Sequence, residues 1–341
     1  MATLSQTQLE AALSAAADDS AMPAERAEML MEIAMGLQQR PRSAQPLHDA
    51  VQLYERAMEL APPEAAALRA RIQARMGTAL QALPDGGVAS LERAQDCFTA
   101  AIAALQQVGQ PEEVAEAELN LGLVLQALSG EHRARITDAI SAYHRALRTF
   151  DRARFPQEYA VLHNNLAICY LSMPATDERG RMREALAVQS FEEVLKVITL
   201  IDHPSEYAMI NNNLGNALQY ASSSHVLENN LRALAAYDEA LRVRNPRDMP
   251  LEYANTIANK ANVLRALVPD PTAKPATPTT PQGPGDPVTA FLDDPLSEAL
   301  ALVREAQALF SLHGDSYKAG MMAEVAAEMT AELAERRALN H

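Results

Sequence analysis

An asparagine returns along this chain at Asn120, Asn165, Asn213 and Asn259, at intervals of 45, 48 and 46 residues. A larger pattern travels with it. Pro111, Pro156, Pro204 and Pro250 each stand two residues before a glutamate: Glu113, Glu158, Glu206 and Glu252. Proline is tolerated at the first position of a helix, where its missing N–H would be unpaired anyway. A glutamate in that first turn meets the positive end of the helix dipole. Further along each segment comes a small residue (Gly122, Ala167, Gly215, Ala261), with Gly77 as an earlier member that lacks the proline. Glycine inside a helix costs up to about 1 kcal/mol relative to alanine, so its periodic use implies close approach of a partner helix.

A second signature alternates with the first: Ala, an aromatic four residues on, and a small residue three further. It reads Ala50-Tyr54-Ala57, Ala94-Phe98-Ala101, Ala139-Tyr143-Ala146, Ala187-Phe191-Val194 and Ala233-Tyr237-Ala240, with Ala299-Val303-Ala306 as a degenerate copy. Offsets of four and three place all three residues on one helix face. Turn formers such as Pro84-Asp85-Gly86-Gly87 and Ser222-Ser223-Ser224 punctuate the chain between helical segments. Each repeat is therefore a helical hairpin, and stacked hairpins are needed to bury the shared faces.

These residues resemble a tetratricopeptide repeat (TPR) array, whose pattern is an aromatic, Leu-Gly and Tyr in the first helix and Ala-x3-Phe in the second. The stretch from His203 to Ala217 is similar to a long-period subtype found in kinesin light chains and in bacterial arrays accompanying caspase-like proteases. The resemblance implies an all-α, TPR-like α-solenoid, a right-handed superhelix of stacked hairpins. The chain departs from the pattern where the first-helix aromatic is replaced by Gln73, Glu118, His163, Asn211 and Ile257. Its period of 44 to 48 residues also exceeds the usual value of about 34.

The expected organisation is an N-terminal helical extension over residues 1–23, then a TPR-like array over 24–312. The repeats fall at about 24–61, 62–110, 111–155, 156–203, 204–249 and 250–312, with a capping helix over 313–341. Seven prolines between Pro269 and Pro287 mark an insertion over 268–288; such a composition cannot bury a core and is expected to be disordered or polyproline II.

A formal net charge of −15, with no concentrated basic patch, argues against nucleic acid and anionic membranes as partners. The first 20 residues lack a signal peptide's basic and apolar regions, and no 18-residue apolar run exists. Arginine predominates heavily over lysine, which suits a GC-rich bacterial genome. The expectation is a soluble cytoplasmic bacterial protein. Cys97 and Cys169 lie on packing faces of separate repeats and read as buried free thiols.

No nucleophile–base pair, metal-ligand spacing or phosphate loop stands out among the eight histidines and the acidic residues. Asp293-Asp294 reads as loop and helix entry, and His163 as either a packed or a ligand-contacting imidazole. Neither a cofactor nor a metal is expected, and the chain does not read as an enzyme.

In the TPR family the first helices line a concave groove. On each such helix, offsets 0, 4, 7 and 11 share a stripe. The stripes begin Arg71, Arg75; Glu116, Asn120; Val161, Asn165, Ile168; Met209, Asn213, Asn216, Tyr220; and Asn255, Asn259, Asn262, with Asn212 adding a further amide. An amide both donates and accepts, so a row of them suits the unpaired backbone of an extended partner segment, while the apolar neighbours would read side chains. Arg71 and Arg75, followed by Asn120 and Asn165, also resemble in part a clamp for an acidic C-terminus. Two roles for the asparagines stay open: lining a groove, or bridging adjacent repeats. The functional expectation is a non-catalytic scaffold that binds an extended or helical peptide segment. The alternatives are a maturation chaperone for a specific enzyme, or an enzyme with a site between repeats.

Overall fold

The computed structural model describes residues 4–339 apart from 19, 40, 42, 174–177, 222–224 and 269–293. The expected proline-rich insertion therefore lies almost wholly outside the described residues. Those residues form fourteen helices and no strand. They divide into two compact units, one up to Cys169 and the other from Tyr170.

The first unit contains α1 (Leu4–Ala16), α2 (Pro23–Gln38), α3 (Gln45–Leu60), α4 (Ala66–Ala82), α5 (Gly87–Val108), α6 (Pro111–Gly130), α7 (Ile136–Ala146) and all but the end of α8 (Pro156–Leu171). Helices α2 and α3, α4 and α5, and α6 and α7 pair as hairpins, and α3 on α4 and α5 on α6 join each hairpin to the next. The second unit contains α9 (Glu178–Leu195), α10 (Pro204–Tyr220), α11 (Val226–Leu241), α12 (Pro250–Ala266), α13 (Pro295–Leu312) and α14 (Ser316–Leu339). There α10 pairs with α11 and α12 with α13, while α9 packs on α10, α11 on α12 and α14 on α13. The fold is a TPR-like succession of helical hairpins.

The helices start where the sequence marks them. Pro111, Pro156, Pro204 and Pro250 are the first residues of α6, α8, α10 and α12, and the Gln110 amide donates to Glu113 Oε2 at 2.9 Å across the first turn of α6. Stops are equally local: Gly109 caps α5, and Gly314 takes φ +80° just after α13, a conformation that glycine reaches without a Cβ clash.

Five of the second helices bury one ring each. Tyr54, Phe98, Tyr143, Phe191 and Tyr237 are at most 1% exposed, and fully burying such a side chain contributes about 1.5–3 kcal/mol. The periodic glycines are the seats of these rings. A Cβ on Gly122 would lie 2.4 Å from Tyr143 Cε1, and one on Gly215 would lie 2.6 Å from Tyr237 Cε1. Phe98 sits on Gly77 in the same way, with the corresponding distance at 3.0 Å. In the last hairpin Ala261 replaces the glycine and the smaller Val303 replaces the ring, within one buried cluster.

The tyrosine hydroxyls are satisfied by a glutamine four residues after the small residue of the first helix. Tyr54 donates to Gln38 Oε1 (2.5 Å), Tyr143 to Gln126 Oε1 (2.9 Å) and Tyr237 to Gln219 Oε1 (3.2 Å). The Tyr54 and Tyr143 hydroxyls would otherwise be buried without a partner, at a cost of about 1–3 kcal/mol each.

Candidate functional site

In the first unit the expected stripe lies on α4, α6 and α8. Arg71 Nε donates to Glu113 Oε1 at 2.5 Å and Arg75 Nη1 to Glu116 Oε1 at 3.0 Å. The two pairs tie α4 to α6 and border a cavity of roughly 40 Å³ that Thr78 and Asn120 also line. The Arg71 guanidinium holds the Glu113 carboxyl below its ordinary range, partly offset by burial. Both arginines are thus neutralised by carboxylates of the next repeat, and the free basic surface of an acid clamp is not present there. Asn120 is half-buried with its amide in no intramolecular hydrogen bond among the described residues. On α8, Val161 and Ile168 are exposed, at 45% and 37%. Asn165 between them is only 9% exposed and accepts from Asn164 Nδ2 at 3.5 Å. That burial departs from the groove-facing position read from the sequence.

In the second unit the stripe lies on α10 and α12. Met209 is 41% exposed and Tyr220 68%. Between them stand Asn212, Asn213 and Asn216, all half-buried; Asn255, Asn259 and Asn262 on α12 are half-buried as well. Their hydrogen bonds separate them by role. Asn216 Oδ1 accepts from the Tyr237 hydroxyl at 2.7 Å, and Asn255 Nδ2 donates to the Leu251 carbonyl at 2.7 Å. Asn259 Nδ2 donates to Asn212 Oδ1 at 3.4 Å, a long contact between adjacent first helices. Asn213 and Asn262 make no hydrogen bond among the described residues. The least committed amides are therefore Asn213 and Asn262, with no bond, and Asn212 and Asn259, which share only the long one.

His163 packs against Tyr159 at a centroid distance of 4.3 Å. Both cysteines are free thiols: Cys169 is buried and Cys97 partly so. Burial pushes them up to about 12 and about 11, away from thiolate chemistry. Asp294 is the N-cap of α13 and accepts from the Ser297 amide at 3.2 Å. Among the described residues, no group of three His, Cys, Asp or Glu could hold a metal ion, and no helix is long and apolar enough to cross a membrane.

Two polar contacts in the core lie outside the sequence reading. Glu118 occupies the slot of the missing first-helix aromatic, with its carboxylate 4% exposed. It accepts from Arg145 Nε and Nη2 at 2.6 and 2.7 Å. In the second unit, buried Arg244 donates to Thr256 Oγ1 at 2.7 Å. Arg244 stands seven residues after Tyr237, where the other repeats bury Ala61, Leu105, Phe150, Ile198 and Phe310. Counting from the aromatic of each second helix would have exposed that substitution in the sequence.

Hairpins with ring-on-glycine locks and an amide-bearing stripe on the first helices define a TPR-like helical repeat protein. No family model matches the chain, and no curated protein matches it in sequence. Solved structures to which the chain is similar include the following three. The TPR2AB-domain–pHSP90 complex of yeast Sti1 is 14% identical, covering 90% of this chain and 99% of that one at a TM-score of 0.29. A Rap protein complexed with competence and sporulation factor is 13% identical, covering 97% and 88% at a TM-score of 0.36. The human IFIT1 dimer with PPP-AAAA is 14% identical, covering 90% and 78% at a TM-score of 0.29. None of these likenesses bears on what this chain binds.

Proposed function

We propose that this protein is a non-catalytic interaction module that holds an extended segment of a partner polypeptide against its first helices. The observation that carries the reading is the α10–α12 face. Four half-buried amides with unused donors or acceptors (Asn212, Asn213, Asn259, Asn262) stand beside exposed Met209 and Tyr220. Amides accept and donate to a peptide unit in either direction, and the two apolar side chains offer contact area to alternate residues of the segment. The α4–α6–α8 face, with Asn120, Val161 and Ile168 partly or fully open, is proposed as a second surface of the same kind. Arg71 and Arg75 enter that proposal as paired, not free, charges, and Asn165 as a support.

Each hydrogen bond to a bound backbone is worth about 1 kcal/mol net, so two of them change Kd roughly 30-fold. The test begins with selection of linear peptides from a random display library on the full chain. Their affinities are then measured for the wild type and for the double variant Asn213→Ala/Asn259→Ala. The expected result is a loss of the order given, with the thermal midpoint nearly unchanged. Peptides that bind the double variant as tightly as the wild type, or a double variant that melts well below it, would place the asparagines in repeat stacking and remove the proposal.

A further inference from the structure

Each first helix uses two buried faces, and counting from the first residue separates them. On α12, offsets 4, 7, 11 and 14 are Ala254, Ile257, Ala261 and Leu264. All are at most 1% exposed and lie in the clusters that contain Ala299, Val303, Ala306 and Phe310 of its partner α13. Offset 6, Thr256, instead accepts from Arg244, three residues past the end of the preceding α11. Offset 11 is the ring seat throughout, as Gly77 on α4, Gly122 on α6 and Gly215 on α10.

Helix α14 follows the same register with one face uncovered. Its offsets 6, 10, 13 and 17 are Met322, Ala326, Met329 and Leu333, which pack into the α12–α13 core. Of its offsets 4, 7, 11 and 14, Gly320, Ala327 and Thr330 are exposed and Ala323 is half-buried, and Ala334 at offset 18 continues the exposed face. Together with Ala331 and Arg304 of α13, residues of this face line an open apolar groove of about 500 Å³. Helix α14 is thus built as a first helix, and among the described residues no second helix lies on it.

Charge defines what fits there. At two steps the residue just after the ring of one second helix pairs with the residue five before the ring of the next; Thr99 of α5 and Asp138 of α7, in the same positions, form no such pair. Glu55 meets Arg93 at 2.6 Å, and Glu192 meets Arg232 at 2.5 Å. Asp238 and Glu298, both acidic, are bridged by Lys260 at 2.7 and 3.9 Å. At the final step this position is Arg304, which is exposed and makes no ion pair among the described residues, reaching only Thr330 Oγ1 at 3.4 Å. The register also places Ala331 where Gln126 and Gln219 accept a tyrosine hydroxyl, so the seat offers no amide acceptor for one.

We propose that the open face of α14 docks an amphipathic helix of a partner protein bearing the sequence Glu/Asp-Ala-x3-Phe/Leu-x2-Ala. The apolar residue fills the seat at Ala327, the two alanines allow close approach, and the acid pairs with Arg304. The interface continues the hairpin packing already used inside the chain, with the ion pair selecting for an acidic helix.

The probe is a fluorescein-labelled, lactam-bridged peptide copying Pro295–Leu312 with the substitution Val303→Leu, so that Glu298, Ala299, position 303 and Ala306 match the proposed sequence. It is titrated onto the full chain by anisotropy beside a Glu298→Lys copy. The expected result is saturable binding of the first peptide, with the second weaker by about fivefold, the size of one exposed ion pair. In the chain, Arg304→Glu should invert that preference, and Ala327→Glu, at an exposed position, should abolish binding with helicity retained. Three results would overturn the proposal: no saturable binding, binding indifferent to both variants, or sedimentation showing that the chain self-associates through this face and that Ala327→Glu makes it monomeric. Asn213→Ala/Asn259→Ala leaves this interaction untouched, so the two proposals fail independently.

Discussion

Replacing Gly122 by alanine tests whether the ring seats, and not general hydrophobicity, set the geometry of the hairpins. Two effects oppose each other. At an open helical position the substitution stabilises by up to about 1 kcal/mol, because glycine loses more backbone freedom on folding. At Gly122 the new Cβ would lie 2.4, 2.6 and 2.9 Å from three ring atoms of Tyr143. That ring is fully buried, and its hydroxyl is held by Gln126. It cannot swing aside as a flexible side chain would; either the helices part or the hydroxyl leaves its acceptor. Overpacking of this kind costs about 1–3 kcal/mol and the lost hydrogen bond about 1 kcal/mol. After subtracting the propensity gain, Gly122→Ala should destabilise by roughly 2 kcal/mol.

Two further glycines provide the scale. Nothing lies within 4 Å of a Cβ on Gly36, so Gly36→Ala should stabilise by about 0.5–1 kcal/mol. Gly77 is intermediate, since its nearest ring atom is 3.0 Å away and Phe98 has no hydroxyl to anchor it. Urea unfolding followed by circular dichroism should rank the variants Gly36→Ala, wild type, Gly77→Ala, Gly122→Ala in falling stability. A second-site test is available from the Ala261 and Val303 pairing: Gly122→Ala combined with Tyr143→Val should lose less than the sum of the single changes. If Gly122→Ala proves as stable as Gly36→Ala, or the double variant is strictly additive, the rings are not what the glycines accommodate.

Tyr237→Phe deletes the hydroxyl that donates to Asn216 and Gln219 and should cost about 1 kcal/mol in the same unfolding assay; a neutral result would mean the acceptors are satisfied without it. The Glu113 carboxyl, held below its ordinary 4.5 by Arg71, contributes stability that is complete above that value and is lost as pH falls through the depressed one. Stability should therefore decline below about pH 4.5, and Arg71→Met should flatten this acid limb; an unchanged slope would remove the pair from the ledger.

The fold class was legible because packing rules repeat with the chain. The alternation of proline-led and aromatic-bearing segments is enough to demand helical hairpins, and fourteen helices are present among the described residues. The role of the glycines was only half legible. The sequence implies that a helix comes close, whereas the structure identifies the ring of the same hairpin as the visitor. The constant spacing of Gly77 to Phe98, Gly122 to Tyr143 and Gly215 to Tyr237, at 21 or 22 residues, already carried that pairing. The ion pairing of Arg71 and Arg75 was hidden because their partners lie 42 and 41 residues away in the next repeat, beyond any local pattern. Asn165 and Asn213 share a sequence slot yet differ in exposure, since burial depends on the neighbouring helices as well as on the register.

That register separates what packing demands from what it does not. Offset 11 holds glycine or alanine in α2, α4, α6, α8, α10, α12 and α14 alike: Ala34, Gly77, Gly122, Ala167, Gly215, Ala261 and Ala327. Offset 9 lies on the third stripe, and there the same helices hold Glu32, Arg75, Asn120, Asn165, Asn213, Asn259 and Val325. Helices with an acid, a base or an aliphatic residue at offset 9 still form and pack, so hairpin assembly does not require an amide there. Asparagine is also about half a kcal/mol worse than alanine inside a helix. Its appearance in four successive first helices, at a slot where glutamate, arginine and valine also occur, is a motive for the recognition role proposed above. If alanine at both offset-9 positions of α10 and α12 leaves the thermal midpoint nearly unchanged and weakens peptide binding roughly 30-fold, packing and recognition occupy separate faces of one helix.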